Sequence, residues 1–212
     1  MLRRLLFPEE RSKKSKNEQK KSSVARLRVA FQGVDGAYSA EAARSCFAGT
    51  EIELCPYPRF TDVCDAVARG ETVYGILPVA NSQTGPIAEM EQLLQRYPLT
   101  VVRSIDFPVR HCLLCLPGQQ LHDLVMVVSH PQALEQCSVY LESLGVQVVP
   151  MENTAESAKM IATKQLRGFA AIASARAAEI YRLQILATDI QNTPDNTTRF
   201  SILQKNPLAI PG

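Results

Sequence analysis

The chain has 212 residues, 46% of them hydrophobic and 21% charged, which suits one compact unit or two small lobes. Residues 1–23 carry eight Lys/Arg against three Glu, a net +5; the remaining 15 Lys/Arg against 18 Asp/Glu give −3, so the body is mildly acidic. No apolar run approaches a membrane span, and the start lacks a signal-peptide h-region, so a disordered, solvated basic tail is expected over 1–23.

In chain order, Leu27 to Gln32 alternates as a strand and breaks at Gly33-Val34-Asp35-Gly36. A helix follows with Ala43, Cys46 and Phe47 on one face, Ser39 as its expected cap and Glu41 in its first turn. Unpaired amides at such a helix start make a possible anion site, although the turn is neither Gly-x-Gly-x-x-Gly nor a Walker loop. Glu51 to Cys55 reads as a strand, Phe60, Val63 and Val67 mark a helix ending at Gly70, and Val73 to Val79 is a third strand. Asn81 and Ser82 follow at its carboxyl end. Pro86 suits the first position of a helix whose buried stripe is Ile87, Met90, Leu93 and Leu94.

Leu99 to Ile105, Val109 to Leu116 and Leu124 to Val128 read as strands. Ser129 stands at the exit of the last, and Pro131 opens a helix with Leu134, Cys137 and Leu141 inward and Gln132 and Gln136 on another face. Val146 to Val149 is a strand, Asn153 and Glu156 suggest a capping box, Phe169 to Ala173 is a strand, and Ser174 to Tyr181 is a short helix. The six cysteines are scattered through apolar patterns, as free thiols would be; Cys112 and Cys115 lie three apart on one strand and so point to opposite faces. Strand–helix alternation implies an α/β protein with mostly parallel sheet, in two lobes with a cleft between them. Polar loops at strand ends line such a cleft.

The segment Asn196-Thr197-Thr198-Arg199-Phe200 ends a polar run from Thr188 and opens a final strand that returns to the first lobe. It presents hydroxyls, an amide and a guanidinium, whose planar fork matches a carboxylate.

Four stretches, Gly33 to Ser39, Pro78 to Gly85, Ser129 to Cys137 and Asn196 to Phe200, together resemble the catalytic domain of prephenate and arogenate dehydratases. Pro108 to Leu114 and Ala170 to Ser174 resemble further family segments, so the resemblance runs from about Leu27 to Leu203. It implies two α/β lobes like the type II periplasmic-binding-protein fold, with the active site in the interlobe cleft. Lobe 1 is expected at about 24–104 plus 188–206, and lobe 2 at about 105–187. The reaction implied removes a ring carboxylate as CO2 and a ring hydroxyl as water, with no metal or other cofactor. By resemblance Thr198 is the catalytic donor to the leaving oxygen, and Asn81, Ser82, Ser129, Gln136, Arg199, Phe200, Tyr38 and Ser39 bind the substrate. The ligand is arogenate or prephenate; neither nucleic acid nor membrane is an expected partner, and a homodimer is. The stretches Ala173 to Glu179 and Leu183 to Ala187 are most similar to plant members, which favour arogenate. That points to the plastid stroma in a photosynthetic eukaryote, and to the cytoplasm otherwise.

Four positions depart from the family pattern: Ala80 where Glu is usual, Ser104 for Glu, Asn192 for Asp and Arg182 for Gly. The missing carboxylate at Ala80 supports a second expectation, a weakly active or inactive paralogue acting as a binding or partner subunit. Too few residues follow Phe200 to build a regulatory domain, so remote-site inhibition by phenylalanine is not expected of this stretch.

Overall fold

The computed structural model describes residues 26–206 as two α/β lobes, each built on its own sheet. The tail expected over 1–23 lies outside the described residues. The first lobe contains β1 (Leu27–Gln32), α1 (Tyr38–Cys46), β2 (Ile52–Tyr57), α2 (Phe60–Ala68), β3 (Tyr74–Asn81), the short β4 (Gly85–Pro86), α3 (Ala88–Arg96) and β5 (Leu99–Pro108). The second contains β6 (Cys112–Cys115), β7 (Met126–Ser129), α4 (Pro131–Gln136), α5 (Ser138–Leu144), β8 (Gln147–Pro150), α6 (Thr154–Lys164), β9 (Phe169–Ala173), α7 (Ala175–Tyr181) and β10 (Gln184–Ala187). The last strand, β11 (Thr197–Lys205), returns to the first sheet between β3 and β5.

The strand orders are β2-β1-β3-β11-β5, with β4 on β3, and β10-β6-β9-β7-β8. Parallel pairs join β1 to β2 and β3, and β7 to β8 and β9. Every other pair is antiparallel, so the expectation of mostly parallel sheet is corrected to two mixed sheets. The reason is topological. The chain crosses between lobes at 109–111 and again at 188–196, and each crossing delivers a strand that runs against its neighbours.

Each sheet is covered on both faces, and alternation along the strands feeds both layers. In the first lobe Val29 and Phe31 pack with Ala40, Ala43 and Cys46 of α1, while Ala30 faces Val63 and Val67 of α2 and Met90 and Leu93 of α3. In the second lobe Cys112 and Leu114 meet α6 and α7, while Leu113 and Cys115 meet α4 and α5. Cys112 and Cys115 therefore do lie on opposite faces, and all six thiols are free and buried.

Two local expectations at helix starts are revised. Pro86 belongs to β4, where it pairs with Ala80, and α3 begins two residues later behind Ile87. Ser39 lies inside α1, whose N-cap is Ala37 with no side-chain cap bond. At α6 Asn153 does cap: its Oδ1 accepts from Glu156 N at 2.7 Å, and its own amide nitrogen donates to Glu156 Oε2 at 2.8 Å. Pro131 occupies the first turn of α4 as its fixed φ suits.

Candidate active site

Between the lobes lies a cleft of about 440 Å³. Its walls are the carboxyl ends of the parallel strands and the helix starts that follow them, where open α/β sheets collect ligands. The first lobe contributes Gly33 from the β1–α1 turn, Tyr38 and Ser39 from the start of α1, Pro78 and Asn81 from β3, and Thr198 and Phe200 from β11. The second contributes His130, Gln132 and Gln136 around α4, and Glu152 to Thr154 at the start of α6; His111 lines it from the first crossing.

Asn81 organises the floor. Its amide nitrogen donates to Asn196 Oδ1 and Thr198 Oγ1, each at 3.0 Å, and reaches Thr197 O at 3.2 Å. Its Oδ1 accepts from the Gln83 backbone N–H at 2.9 Å. A carbonyl on one side and an N–H on the other fix which way this amide points. Asn196 passes the pattern across the cleft by donating to Gln136 Oε1 at 3.1 Å. These are buried polar groups that satisfy one another, so they hold a single geometry. Thr198 Oγ1 accepts from Asn81, and no acceptor for its own proton lies among the described residues. Thr198 is only 9% exposed and lines the cleft.

Gln136 Oε1 also lies 3.0 Å from His111 Nε2. An amide oxygen only accepts, so His111 carries its proton on Nε2 and turns Nδ1 towards the Tyr38 hydroxyl at 3.0 Å. The one proton of that hydroxyl is shared between His111 Nδ1 and Arg110 O, the latter at 2.7 Å. Burial pushes His111 below its ordinary range, opposed by the Gln136 hydrogen bond, and burial holds Tyr38 well above the ordinary phenol range. Both groups are therefore neutral near pH 7, and Tyr38 is a donor.

Of the residues singled out in the sequence, Thr198, Asn81, Gln136, Phe200, Tyr38 and Ser39 come together in the cleft. Arg199, Ser82 and Ser129 do not. Thr198 and Arg199 are the second and third residues of β11 rather than loop residues, and successive side chains on a strand face opposite ways. Arg199 is therefore exposed on the far side, forked onto Asp106 at 2.8 and 3.0 Å, which holds that carboxyl below the usual range. Ser82 donates to Asp195 O and accepts from Thr197 N, both at 3.0 Å, and so ties the second crossing to the end of β3. Ser129 is wholly buried and donates to Ile172 O at 2.7 Å between adjacent strands.

The departures are placed too. Ala80 is the cross-strand partner of Arg199, on the face turned away from Asn81 and Thr198, and does not line the cleft. A Glu at position 80 would face Arg199, where Asp106 already sits. The inference that Ala80 strips the cleft of a carboxylate is thereby corrected. Ser104 bonds its cross-strand partner Ser201 at 3.0 Å. Asn192 binds Val139 N, Glu135 O and Ser138 Oγ, and so fastens the second crossing to the join of α4 and α5. Arg182 takes the left-handed conformation that ends α7, φ 54°, where glycine costs less.

His111, His130, Gln132, Asn196 and Glu152 complete the lining and the network. Two signals for them stood in the sequence: His111 is a polar residue heading a buried strand, and His130 precedes a helix-opening proline. Asn196 stood at the head of the polar segment that opens the final strand. Glu152 carried none.

A family model described as prephenate dehydratase matches residues 29–208. The chain is 44% identical over 191 residues to arogenate dehydratase/prephenate dehydratase 2, chloroplastic, of Arabidopsis thaliana, covering 90% of this chain and 49% of that protein. It thus spans about half the length of the curated relatives it matches. Among solved structures, a prephenate dehydratase from Arthrobacter aurescens in complex with L-Phe superposes with a TM-score of 0.79 at 23% identity, over 88% of this chain and 62% of that one. GqqA, described as a novel type of quorum quenching acylase, superposes at 0.77 with 34% identity, over 87% and 66%. The family match runs through both lobes and takes in every strand that borders the cleft. By its sequence and its architecture, the chain belongs to the prephenate dehydratase family.

Proposed function

We propose that this chain carries out the decarboxylating dehydration of arogenate or prephenate, yielding phenylalanine or phenylpyruvate. The observation that carries the reading is the Thr198 hydroxyl, which lines the cleft and accepts from Asn81, leaving its proton without an acceptor among the described residues. In the reaction the bond from the ring to its carboxylate breaks, and its electron pair enters the ring. The ring C–O bond breaks in turn, the departing oxygen takes one proton, drawn from solvent, to become water, and CO2 and an aromatic ring remain. Hydroxide leaves poorly, so hydrogen bonding or proton donation to that oxygen is the main catalytic need, worth roughly 10²–10⁴-fold, about 3–5 kcal/mol of barrier. Thr198 is too weak an acid to give up its proton outright; it acts as a positioned donor.

With Arg199 outside the cleft, the carboxylates fall to backbone and neutral donors. The β1–α1 turn and the start of α1 border the cleft, where Ser39 has a hydroxyl with no partner among the described residues. Gln136 adds an amide donor held only by long bonds of 3.4 and 3.5 Å, while Tyr38, its one proton engaged within the protein, shapes the wall. The chloroplastic relative supports a plastid setting. Incubating the purified chain with each substrate, then reading phenylalanine by chromatography and phenylpyruvate by absorbance, tests the proposal. Aromatic product from at least one substrate is expected. None from either would overturn it.

A further inference from the structure

Among the described residues that line the cleft, only Glu152 bears a formal charge; there is no Lys, Arg or Asp. It stands in the connection between β8 and α6, on the lobe opposite Thr198. It is exposed and has no hydrogen-bond or ion-pair partner among the described residues. Its neighbour Glu156, by contrast, is engaged by Asn153. An isolated carboxylate on the wall of a site for dianionic ligands works against binding them, unless part of the ligand is cationic.

This inference rests on the dehydratase reading. The two substrates differ at one carbon of the side chain, an ammonium in arogenate and a ketone in prephenate. That side chain is attached to the ring carbon opposite the one bearing the leaving hydroxyl. With the hydroxyl at Thr198, the length of the ring separates that side chain from β11, and Glu152 lines the same cleft from the other lobe. The geometry points to Glu152 as a specificity-determining residue, pairing with the ammonium of arogenate and disfavouring the more negative keto acid. A carboxylate at the N-terminal end of α6 also suits the helix dipole, but that contribution is the same whichever substrate is bound. The preference between substrates is therefore the quantity that separates the two roles.

The test measures kcat/KM for both substrates in the parent, Glu152→Gln, Glu152→Asp and Glu152→Lys, at low and high salt. In Glu152→Gln the arogenate-to-prephenate ratio should fall about fivefold, the scale of one solvent-exposed ion pair, mainly through a higher KM for arogenate. Glu152→Lys should lower it further, and Glu152→Asp should keep most of it. Salt should compress the parent's ratio and leave that of Glu152→Gln unmoved. If Glu152→Gln changes both substrates by one common factor, or leaves the ratio unchanged, Glu152 does not discriminate and the dehydratase reading stands. If the parent turns over neither substrate, that reading and this inference fall together.

Discussion

Thr198 and Arg199 are adjacent in sequence, yet the strand gives them opposite fates. Composition alone shows a hydroxyl and a guanidinium side by side, each suited to an anionic substrate. The pleat then turns Thr198 onto Asn81 and Arg199 onto Asp106. Replacing Arg199 with Ala should thus leave kcat within about threefold of the parent, since an exposed ion pair contributes little. Asn81→Ala should lower kcat by about tenfold to a hundredfold, because it frees the Thr198 hydroxyl and leaves the Gln83 N–H without its acceptor. Steady-state kinetics on the pair decides it: equal losses would mean that β11 does not divide its side chains as described. What the sequence hid at this scale was face, since a one-residue error in where the strand begins exchanges every inward side chain for an outward one. Ser129 shows the same limit. A serine at a strand exit serves the cleft or the neighbouring backbone, and only the register with β9 decides which.

At the scale of elements, periodicity located nearly every strand and helix, and β1 and β9 begin and end where their alternation does. Direction escaped it. Alternation is the same for parallel and antiparallel pairing, and the two lobe crossings that reverse β6 and β11 leave no local mark. β10 was likewise unmarked, being four short residues at a sheet edge. End caps carried more. Arg182 stands where the family has Gly, and its positive φ supplies the reason, so Arg182→Gly should stabilise the fold by about 1 kcal/mol, read as a higher urea midpoint at constant m. An unchanged or lower midpoint would mean that the arginine side chain contributes enough there to offset the backbone strain.

For the whole molecule, function depends on how the lobes are held. Besides the two crossings, the turn after β1 docks directly on the second lobe. Ser174 Oγ donates to Gly36 O at 2.9 Å, and the Tyr181 hydroxyl donates to Asp35 O at 2.6 Å. Gly36, at φ 88°, comes so close that a Cβ built on it would lie 2.9 Å from the Ala177 Cα. Gly36→Ala should accordingly part the lobes along this seam, reducing kcat/KM by about tenfold or more and lowering the urea midpoint. Ser174→Ala, which removes one bond and the α7 cap without a clash, should cost less in activity. Equal effects from the two would show that close approach at Gly36 is not what sets the cleft. The sequence placed this glycine in a turn; that the turn meets another lobe 138 positions away is a property of the assembled fold.

We propose that one hydroxyl, that of Thr198, held by Asn81 at the interlobe cleft, assists the leaving oxygen. The most direct test is kcat for Thr198→Ala beside the parent and Thr198→Ser, with calorimetric binding of the aromatic product as a control for an intact cleft. Thr198→Ala should lose about two or more orders of magnitude in kcat with product affinity kept within a few-fold, and Thr198→Ser should recover much of the rate. A Thr198→Ala variant that turns over at the parent's rate would contradict the proposal.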